Sequence, residues 1–396
     1  MNLVCFSHLR WNFVYQRPQH LLGRFAKHYV TYYVEEFITS DEEDGYDFYT
    51  AEENVCVVTP HLKHQNSNNN QDVRKMNVIT GLFKDKSIYK YIFWYYTPMA
   101  LLFTKKFKPK FTVYDCMDEL SAFKFAPPEL KTMEQELIKK ADIMFTGGNC
   151  LYEAKKRQHH NIFAFPSSID KKHFMQARQN TKEQADQAEI PYPRLGFFGV
   201  LDERFDIDLI EKAATMKPDW QFVLIGPIVK IDPNTLPKNK NIHYLGNKSY
   251  QELPQYLSGW DVAMIPFAIN ESTRFISPTK TPEYLAAGKP VVSSSIRDVV
   301  NPYGHNNLVH IYEDAPHFVE KVTAELAVQD KSEWLGRVDN HLSTISWDFT
   351  FEQMNRLIKK GMTTLKTAKI VELPTIRRTE KAMEGMHYQV RHENAI

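Results

Sequence analysis

The sequence predicts an α/β protein in which two doubly wound domains, each with a parallel sheet, face each other across a cleft. Its 396 residues are more than one ordinary hydrophobic core usually holds. Short apolar stretches typical of buried strands alternate with amphipathic helical stretches through both halves of the chain, as in parallel sheets covered by helices on both faces. We expect the domains to span residues 1–168 and 169–348.

The composition is that of an ordinary globular protein, with 43% hydrophobic and 24% charged residues. Because 49 basic residues nearly balance 48 acidic ones, no general attraction to nucleic acid is predicted. The sequence shows no signal-peptide pattern and no apolar stretch of the roughly 20 residues that span a bilayer. We therefore expect a cytoplasmic protein, with at most peripheral contact at the inner face of the membrane.

The four cysteines (Cys5, Cys56, Cys116 and Cys150) are scattered along the chain and form no C-x-x-C pair. Two of them, Cys5 and Cys56, fall inside stretches predicted to be strands. We therefore expect buried free thiols in a reducing compartment.

In the first half, apolar periodicity and capping residues define the elements. Strands are predicted at 2–7, 30–34, 55–59, 91–97, 111–114 and 143–146, and helices at 18–29, 99–107, from 128 onward and at 149–157, with Asn149 as the cap. The polar run at 65–71 predicts a mobile loop. The aromatic stretch 91–103, followed by KKFKPK, has two interpretations: a buried strand with a half-buried helix, or a patch that rests on anionic lipid.

The second half repeats the alternation of strand and helix. Strands are predicted at 194–200, 222–225, 242–245, 261–266, 290–293 and 308–311, and helices at 206–216, 250–258, 282–287, 316–327 and 349–365. The final helix, at about 349–367, is long enough to cross back over the cleft and brace the first domain. Residues 371–396 lack sustained periodicity and predict a flexible tail.

A strand–loop–helix–strand unit at 261–295 indicates an anion site. Thr281 is the expected N-cap of its helix, Pro282 fits the first turn, and Gly288 ends the helix. A helix that starts beyond the carboxyl end of a parallel strand presents unpaired N–H groups and a positive dipole end, and both favour phosphate.

The side chains in and beside this loop suit a nucleoside diphosphate. Ser277, Thr279 and Lys280 lie at the predicted helix start, and Arg274 is close behind in sequence. Glu283 lies on the first helical turn, where a carboxylate can accept hydrogen bonds from sugar hydroxyls. We therefore predict a nucleotide-diphosphate site in this part of the chain.

The loop GVLDERF offers a second cation, because Arg204 lies between a predicted strand end and the next helix. An ordinary surface arginine is the alternative interpretation. Asp206 and Asp208 form a D-x-D pattern, which in some enzymes holds a divalent cation. Capping of the helix at 206–216 explains these aspartates better, so no metal site is predicted.

The first domain contributes three candidates for chemistry. Asp115 and Asp118 lie at the end of a predicted strand and are expected to face the cleft, where carboxylates contact hydroxyls or stabilise positive charge at an anomeric carbon. His8 follows the first strand, where an imidazole can act as acid, base or hydrogen-bond partner. The alternatives are capping by the aspartates and a structural role for the lone histidine.

The usual motifs of several other enzyme classes are missing. No G-x-S-x-G, G-x-x-x-x-G-K-[ST], H-E-x-x-H or G-x-G-x-x-G motif occurs where its chemistry would need it. The sequence therefore gives no grounds for a hydrolase, a P-loop NTPase, a zinc protease or an NAD enzyme.

Several segments, taken in order, resemble one family. SPTKTPEYLAAGKPVVSS is similar to the donor-binding segment, and GVLDERFD to the diphosphate loop, of the family 4 ("glycosyl transferases group 1") glycosyltransferases. The first half, with RWNFVYQRPQHL and VYDCMDELSAF, resembles a bacterial subgroup that includes glycosyltransferases of teichuronic acid biosynthesis.

The resemblance implies the GT-B fold, with two Rossmann-like domains across a cleft and a C-terminal helix that crosses back to the first domain. By position, Arg204 and Lys280 would bind the diphosphate, together with backbone N–H groups around Ser277–Thr279. Glu283 would hold the donor ribose, and the loop Gly246–Lys248 would lie against the base.

Two positions depart from the family pattern. Phe275 stands where the family usually carries the first of two glutamates eight residues apart, and that glutamate normally lies near the transferred sugar. Val200 stands where a basic residue often follows the first glycine of the diphosphate loop. The identity of the donor sugar is therefore the least determined part of the prediction.

The implied activity is transfer of a sugar from a nucleotide diphosphate sugar to a cell-envelope polysaccharide or a lipid-linked acceptor. Retention of anomeric configuration and independence of metals and other cofactors are implied as well, because cationic side chains then stabilise the leaving diphosphate. Two alternatives stay open: a sugar-nucleotide epimerase of the same fold, and a non-catalytic scaffold that binds a polysaccharide or a partner enzyme.

Overall fold

The computed structural model describes residues 1–65, 70–179 and 182–371. Residues 66–69 of the predicted mobile loop, and the predicted tail from residue 372 onward, lie outside this part. The described chain forms two separate sheets, and the last strand of the first ends at Ala164 while the first strand of the second begins at Arg194. The domain boundary predicted at 168/169 falls between them and remains a prediction.

The first sheet has nine strands within the described residues. They are β1 (Asn2–Phe6), β2 (Val30–Val34), β3 (Ile38–Ser40), β4 (Gly45–Glu52), β5 (Val55–Lys63), β6 (Tyr91–Tyr95), β7 (Phe111–Cys116), β8 (Ile143–Thr146) and β9 (Ile162–Ala164). Their order is β3-β5-β2-β1-β6-β7-β8-β9, and β4 pairs antiparallel with β5. The helices of this half are α1 (Arg17–Phe25), α2 (Gln71–Asp85), α3 (Leu101–Thr104), α4 (Leu130–Lys140) and α5 (Asn149–Lys155).

The second sheet is parallel throughout, in the order β12-β11-β10-β13-β14-β15. Its strands are β10 (Arg194–Phe198), β11 (Gln221–Ile225), β12 (Ile242–Gly246), β13 (Val262–Ile265), β14 (Val291–Ser294) and β15 (His310–Tyr312). The helices from the connecting segment onward are α6 (Lys171–Met175), α7 (Ala185–Ala188), α8 (Ile207–Met216), α9 (Leu253–Ser258), α10 (Lys280–Ala286), α11 (Arg297–Val299), α12 (Ala315–Leu326), α13 (Ser332–His341) and α14 (Trp347–Val371).

Both sheets are covered by helices, which confirms the predicted pair of doubly wound domains. Their central strands are buried along their length, and they are mostly apolar because both faces are covered. In β6 every residue of YIFWY is buried, so the structure supports the interpretation of this stretch as a core strand rather than a lipid-facing patch. Among the described helices, none combines the length and the apolar character needed to cross a bilayer.

The long helix α14 crosses back to the first domain, as predicted. Its buried residues Trp347, Met354 and Ile358 join the apolar cluster on one face of the first sheet. At its start, Asp348 accepts a hydrogen bond of 2.7 Å from Arg24 Nε. The helix therefore begins beside the second domain and is held by the core of the first.

The structure corrects two predicted helix starts. In α10 the helical residues begin at Lys280 and Thr279 holds the N-cap position, so Thr281 lies inside the helix and its hydroxyl has no hydrogen-bond partner. The helix α5 was expected to be capped by Asn149. Its first N–H groups instead bond to Asp298 of the second domain, a partner that lies 149 residues away in the chain.

Two glycines bring the ends of β10 and β11 together at the cleft. Gly199 and Gly226 have φ values of +150° and +143°, a conformation that side chains with a Cβ rarely adopt. A Cβ on Gly226 would lie 1.8 Å from the carbonyl oxygen of Gly199. Glycine at both positions leaves the backbone open to the cleft.

We expect Gly226→Ala to lower the free energy of unfolding by about 2–4 kcal/mol, because the added methyl meets backbone and the φ value is unfavourable. Gly336→Ala is the matched control. Gly336 lies inside α13 with no atom within 4 Å of an added Cβ, so alanine should be neutral or stabilising there. Urea unfolding of both variants measures this, and equal effects would contradict the proposed close approach.

Candidate active site

The carboxyl ends of the strands in both sheets meet at a cleft that contains two cavities. The Tyr15 cavity, of about 390 Å³, lies between the segment 11–15 of the first domain and the strand ends around Gly199, Gly226 and 247–251. The His8 cavity, of about 520 Å³, is lined from both domains and includes His8, Asp118 and Arg204. Of the residues predicted for binding or chemistry, His8, Asp118 and Arg204 line the His8 cavity and Lys248 lines the Tyr15 cavity.

Lys280 is the cation at the centre of the cleft. Its Nζ lies 5.7 Å from the ring centroid of Phe198, and a Cβ on Gly199 would be 2.9 Å from its Cε. Among the described residues it forms no salt bridge, and burial lowers its pKa. A half-buried ammonium without a carboxylate partner favours an anionic ligand.

Glu283 lies one helical turn after Lys280 and is 5% exposed. Its Oε2 atom has no hydrogen-bond partner, and burial raises the pKa of its carboxyl to about 7, while the charge of Lys280 opposes this shift. Among the described residues the hydroxyl of Tyr250 is likewise buried without a partner, and burial, followed by the charge of Glu283, raises its pKa. Buried polar atoms without partners are uncommon in proteins, so this corner suits a ligand that carries hydroxyls.

Arg204 is already engaged by a neighbouring carboxylate. Its Nε and Nη2 atoms donate to Asp202 at 2.9 and 2.7 Å, and this pairing raises the arginine pKa against the effect of burial. The charge of Arg204 nevertheless acts on Lys280, lowering its pKa, and on Asp118. The structure therefore brings Arg204 close to the predicted diphosphate site and holds it in place through Asp202.

The other predicted donor-binding residues lie in the cleft or at its edge. Gly246 ends β12 with a φ of +69°, and Lys248 lines the Tyr15 cavity while donating to Asp186 at 2.7 Å. Thr279 holds the N-cap position of α10, and the carbonyl oxygen of Ser277 accepts a hydrogen bond from Ser167 of the connecting segment.

The position of Arg274 does not support the predicted phosphate contact. Its guanidinium lies over the ring of Phe275, with 5.3 Å between guanidinium carbon and ring centroid, and lines a separate crevice with Arg297 and Cys150. The neighbouring Phe275 packs against the core of the first domain.

The prediction that Asp115 faces the cleft is wrong. The side chain lies inside β7 with no exposed surface, and Arg17 donates to it through Nη2 at 2.8 Å and Nε at 3.0 Å. Arg17 also donates to the carbonyl oxygen of Phe165 at 2.8 Å. A buried guanidinium requires a carboxylate partner, and Asp115 supplies it.

His8 and Asp118 both line the His8 cavity, and their predicted chemical roles stay predictions. Burial and the charge of Lys230 lower the pKa of His8 to about 4, so the imidazole is neutral at physiological pH. Its Nδ1 atom is buried without a partner. Burial raises the pKa of Asp118, and the charges of Arg204 and Arg17 oppose that shift.

Asp206 acts as a helix cap, as predicted. It accepts a hydrogen bond of 2.9 Å from the backbone N–H of Leu209 at the start of α8. Asp208 is exposed and lies 3.9 Å from Lys212 in an i,i+4 ion pair. The two carboxylates therefore do not converge on one point.

Four residues of the cleft were not singled out from the sequence: Tyr15, Tyr250, Lys230 and Asp202. Tyr15 of the first domain stacks on Tyr250 of the second, with ring centroids 4.6 Å apart. Lys230 lines the His8 cavity, and Asp202 holds Arg204. Only Asp202, two residues before a predicted site arginine, carried a local signal.

Comparisons with known proteins agree with this geometry. Residues 192–327 match the family model described as "Glycosyl transferases group 1". The "Putative teichuronic acid biosynthesis glycosyltransferase TuaH" of Bacillus subtilis (strain 168) is 23% identical over 287 residues, which cover 66% of this chain and 70% of the relative.

Solved structures share the architecture at low identity. Sucrose-phosphate synthase from Thermosynechococcus elongatus aligns with a TM-score of 0.67 at 12% identity, over 92% of this chain and 99% of that one. HepE from Anabaena in complex with UDP aligns with a TM-score of 0.63 at 10% identity, over 91% of this chain and 100% of that one. The catalytic domain of starch synthase IV from Arabidopsis thaliana, bound to ADP and acarbose, aligns with a TM-score of 0.62 at 11% identity. The alignment covers 91% of this chain and 99% of that one.

The two facing parallel sheets and the crossing helix define a protein of the GT-B class. The match to the family model, the relative and the shared fold together identify the chain as a GT-B glycosyltransferase.

The carboxyl of Glu283 should make stability depend on pH. Below about pH 4 it is protonated in both the folded and the unfolded state. Between that pH and about 7, where it titrates in the folded protein, the unfolded chain binds fewer protons, so the free energy of unfolding falls as the pH rises. Above about pH 7 this carboxyl lowers the free energy of unfolding no further.

We therefore expect Glu283→Gln to be more stable than the wild type at pH 8, on the order of 3 kcal/mol, with a smaller gain at pH 5. Urea unfolding at both pH values measures the difference. A gain of equal size at the two pH values, or a loss at pH 8, would show that the buried carboxyl does not carry this cost.

Proposed function

We propose that this glycosyltransferase transfers a sugar from a nucleotide diphosphate sugar to a cell-envelope polysaccharide or a lipid-linked acceptor. It acts with retention of anomeric configuration and without a metal or other cofactor. We place it in the cytoplasm, with peripheral contact at the inner face of the membrane. The similarity to TuaH supports the class of acceptor, and the UDP and ADP bound by structural neighbours support the class of donor.

The observation that carries the proposal is the unpaired ammonium of Lys280 at the end of β10. A diphosphate placed there receives charge from Lys280 and Arg204, and further hydrogen bonds from backbone N–H groups around 277–279. During transfer, negative charge builds up on the leaving diphosphate. Fixed cations in a cleft that excludes water stabilise that charge more than bulk water does.

The nucleoside then occupies the Tyr15 cavity. The buried carboxyl of Glu283 accepts hydrogen bonds from the ribose hydroxyls, which gives its unpartnered oxygen a donor. The base lies against the loop Gly246–Lys248, which borders the same cavity. The stacked pair Tyr15 and Tyr250 closes this side of the cleft with one ring from each domain.

The His8 cavity takes the reacting sugar and the acceptor. Asp118 stabilises positive charge as it develops at the anomeric carbon. His8 is neutral, and its free Nδ1 accepts a hydrogen bond from a sugar hydroxyl. Asp115 acts indirectly, because it accepts a hydrogen bond from the guanidinium of Arg17 and holds that side chain beside the His8 cavity.

We expect Lys280→Ala to weaken binding of UDP or GDP by about 1–3 kcal/mol, as for a lost charge-assisted contact. Arg204→Ala should change the affinity in the same direction. Isothermal titration in the presence of EDTA measures both, and Lys212→Ala is the control because Lys212 is exposed on α8.

If both site variants bind the nucleotide as tightly as the wild type, the assignment of the diphosphate site fails. If the wild type binds only after a divalent cation is added, the metal-independent part of the proposal fails. In either case the circular dichroism spectrum of each variant should match that of the wild type, so that unfolding is not mistaken for lost binding.

A further inference from the structure

The His8 cavity has more room than a reacting sugar beside His8 and Asp118 requires. Two further cations line it. Lys124 belongs to the first domain and Lys230 to the second. Neither forms a salt bridge within the described part of the chain. Neither has a role in the donor site proposed above. Two exposed cations, contributed by opposite domains to one cavity, add positive charge there and favour an anionic ligand.

Lys230 is held at the cavity by its backbone and by an aromatic ring. Its φ of +62° is uncommon for a residue with a side chain and marks a constrained turn after β11. Its Nζ lies 5.7 Å from the ring centroid of Phe123, which also faces the guanidinium of Arg204 at 5.4 Å. Phe123 comes from the first domain, so this ring lies between two cations of the second.

The charge of Lys230 reaches into the cavity. It is one of the causes that lower the pKa of His8, and it also acts on the carboxyl of Glu36 at the far wall. Lys124 lies on the facing side, with its Nζ 5.3 Å from the ring centroid of Phe125. Phe125 is 75% exposed, so the mouth of the cavity is both apolar and cationic.

The remaining charges on the wall are largely balanced by each other. Arg204 is paired with Asp202, and Arg10 donates to Glu35 at 2.7 Å. Asp118 lies near the charges of Arg204 and Arg17, and the carboxyl of Glu36 lies near those of Arg10, Lys75 and Lys230. Lys124 and Lys230 are the lysines of this cavity, and neither takes part in a salt bridge among the described residues.

We propose that the His8 cavity binds an acceptor that carries a phosphate or a carboxylate, and that Lys124 and Lys230 hold this anionic group. This inference rests on the proposed function, because it assumes that the donor sugar enters the same cavity from the side of Arg204. The apolar walls around Phe123 and Leu120 contact the body of the acceptor, while the lysines fix its charged end. An acceptor bound in this way bridges the two domains.

The experiment uses three small probes: glucose 6-phosphate, glucuronate and glucose. Each is titrated into the full-length protein saturated with UDP, or with whichever of GDP, ADP and dTDP it binds instead, so that the anionic probes cannot occupy the diphosphate site. We expect one or both anionic probes to bind at least tenfold more tightly than glucose. Lys124→Ala and Lys230→Ala should each remove most of this preference, and Lys230→Arg should retain it.

UDP affinity should stay the same in both lysine variants, and Lys212→Ala again serves as the control. Tight binding of glucose 6-phosphate alone assigns the site to a phosphate, and tight binding of glucuronate alone assigns it to a carboxylate. Equal binding of all three probes, or an anion preference that survives both alanine variants, overturns the inference.

A failure of the donor proposal would be recognised separately. In that case the wild type would bind none of UDP, GDP, ADP and dTDP, while the same three probes titrated without nucleotide would still report on the two lysines. Lys230 is exposed, so Lys230→Ala should fold normally, and a thermal melt that superimposes on that of the wild type checks this.

Discussion

Asp298 accepts hydrogen bonds from the backbone N–H groups of Asn149 and Cys150, and so joins α11 of the second domain to the first turn of α5 in the first domain. Phe275 packs against the first domain's core beside this contact. Both cleft cavities are lined from two domains, so their shape depends on these contacts. Phe275 thus takes part in domain contact at the position where the family pattern has a sugar-binding glutamate, and the donor sugar must be recognised by other groups.

The cleft holds charge and polarity that the protein does not compensate internally. Lys280 has no carboxylate partner among the described residues, and Glu283 and Tyr250 each bury an oxygen without a hydrogen bond. Such groups cost folding free energy, and they persist at sites where a ligand supplies the missing partner. By contrast, Arg17 with Asp115 is a closed pair that leaves little capacity for a ligand, whereas Arg204 is held in place by Asp202 and its charge still acts on Lys280 and Asp118 in the cleft.

Much of the fold could be predicted from the sequence, because buried parallel strands are apolar along their whole length. The outer strands β3 and β4 were missed since their side chains are mostly exposed and carry no apolar signal. The site was predictable where its residues are close in sequence, as from Ser277 to Glu283. Asp115 was misassigned because its partner Arg17 lies 98 residues away, and the cap of α5 comes from 149 residues away.

The central claim is that the cleft binds a nucleoside diphosphate without a metal. The most direct measurement is a thermal-shift screen of the wild-type protein against UDP, GDP, ADP and dTDP in the presence of EDTA, because a ligand that binds only the folded state raises its melting temperature. We expect at least one of the four nucleotides to raise the melting temperature of the protein. Added magnesium should change the size of this shift little. No shift with any of them, or a shift that requires magnesium, would contradict it.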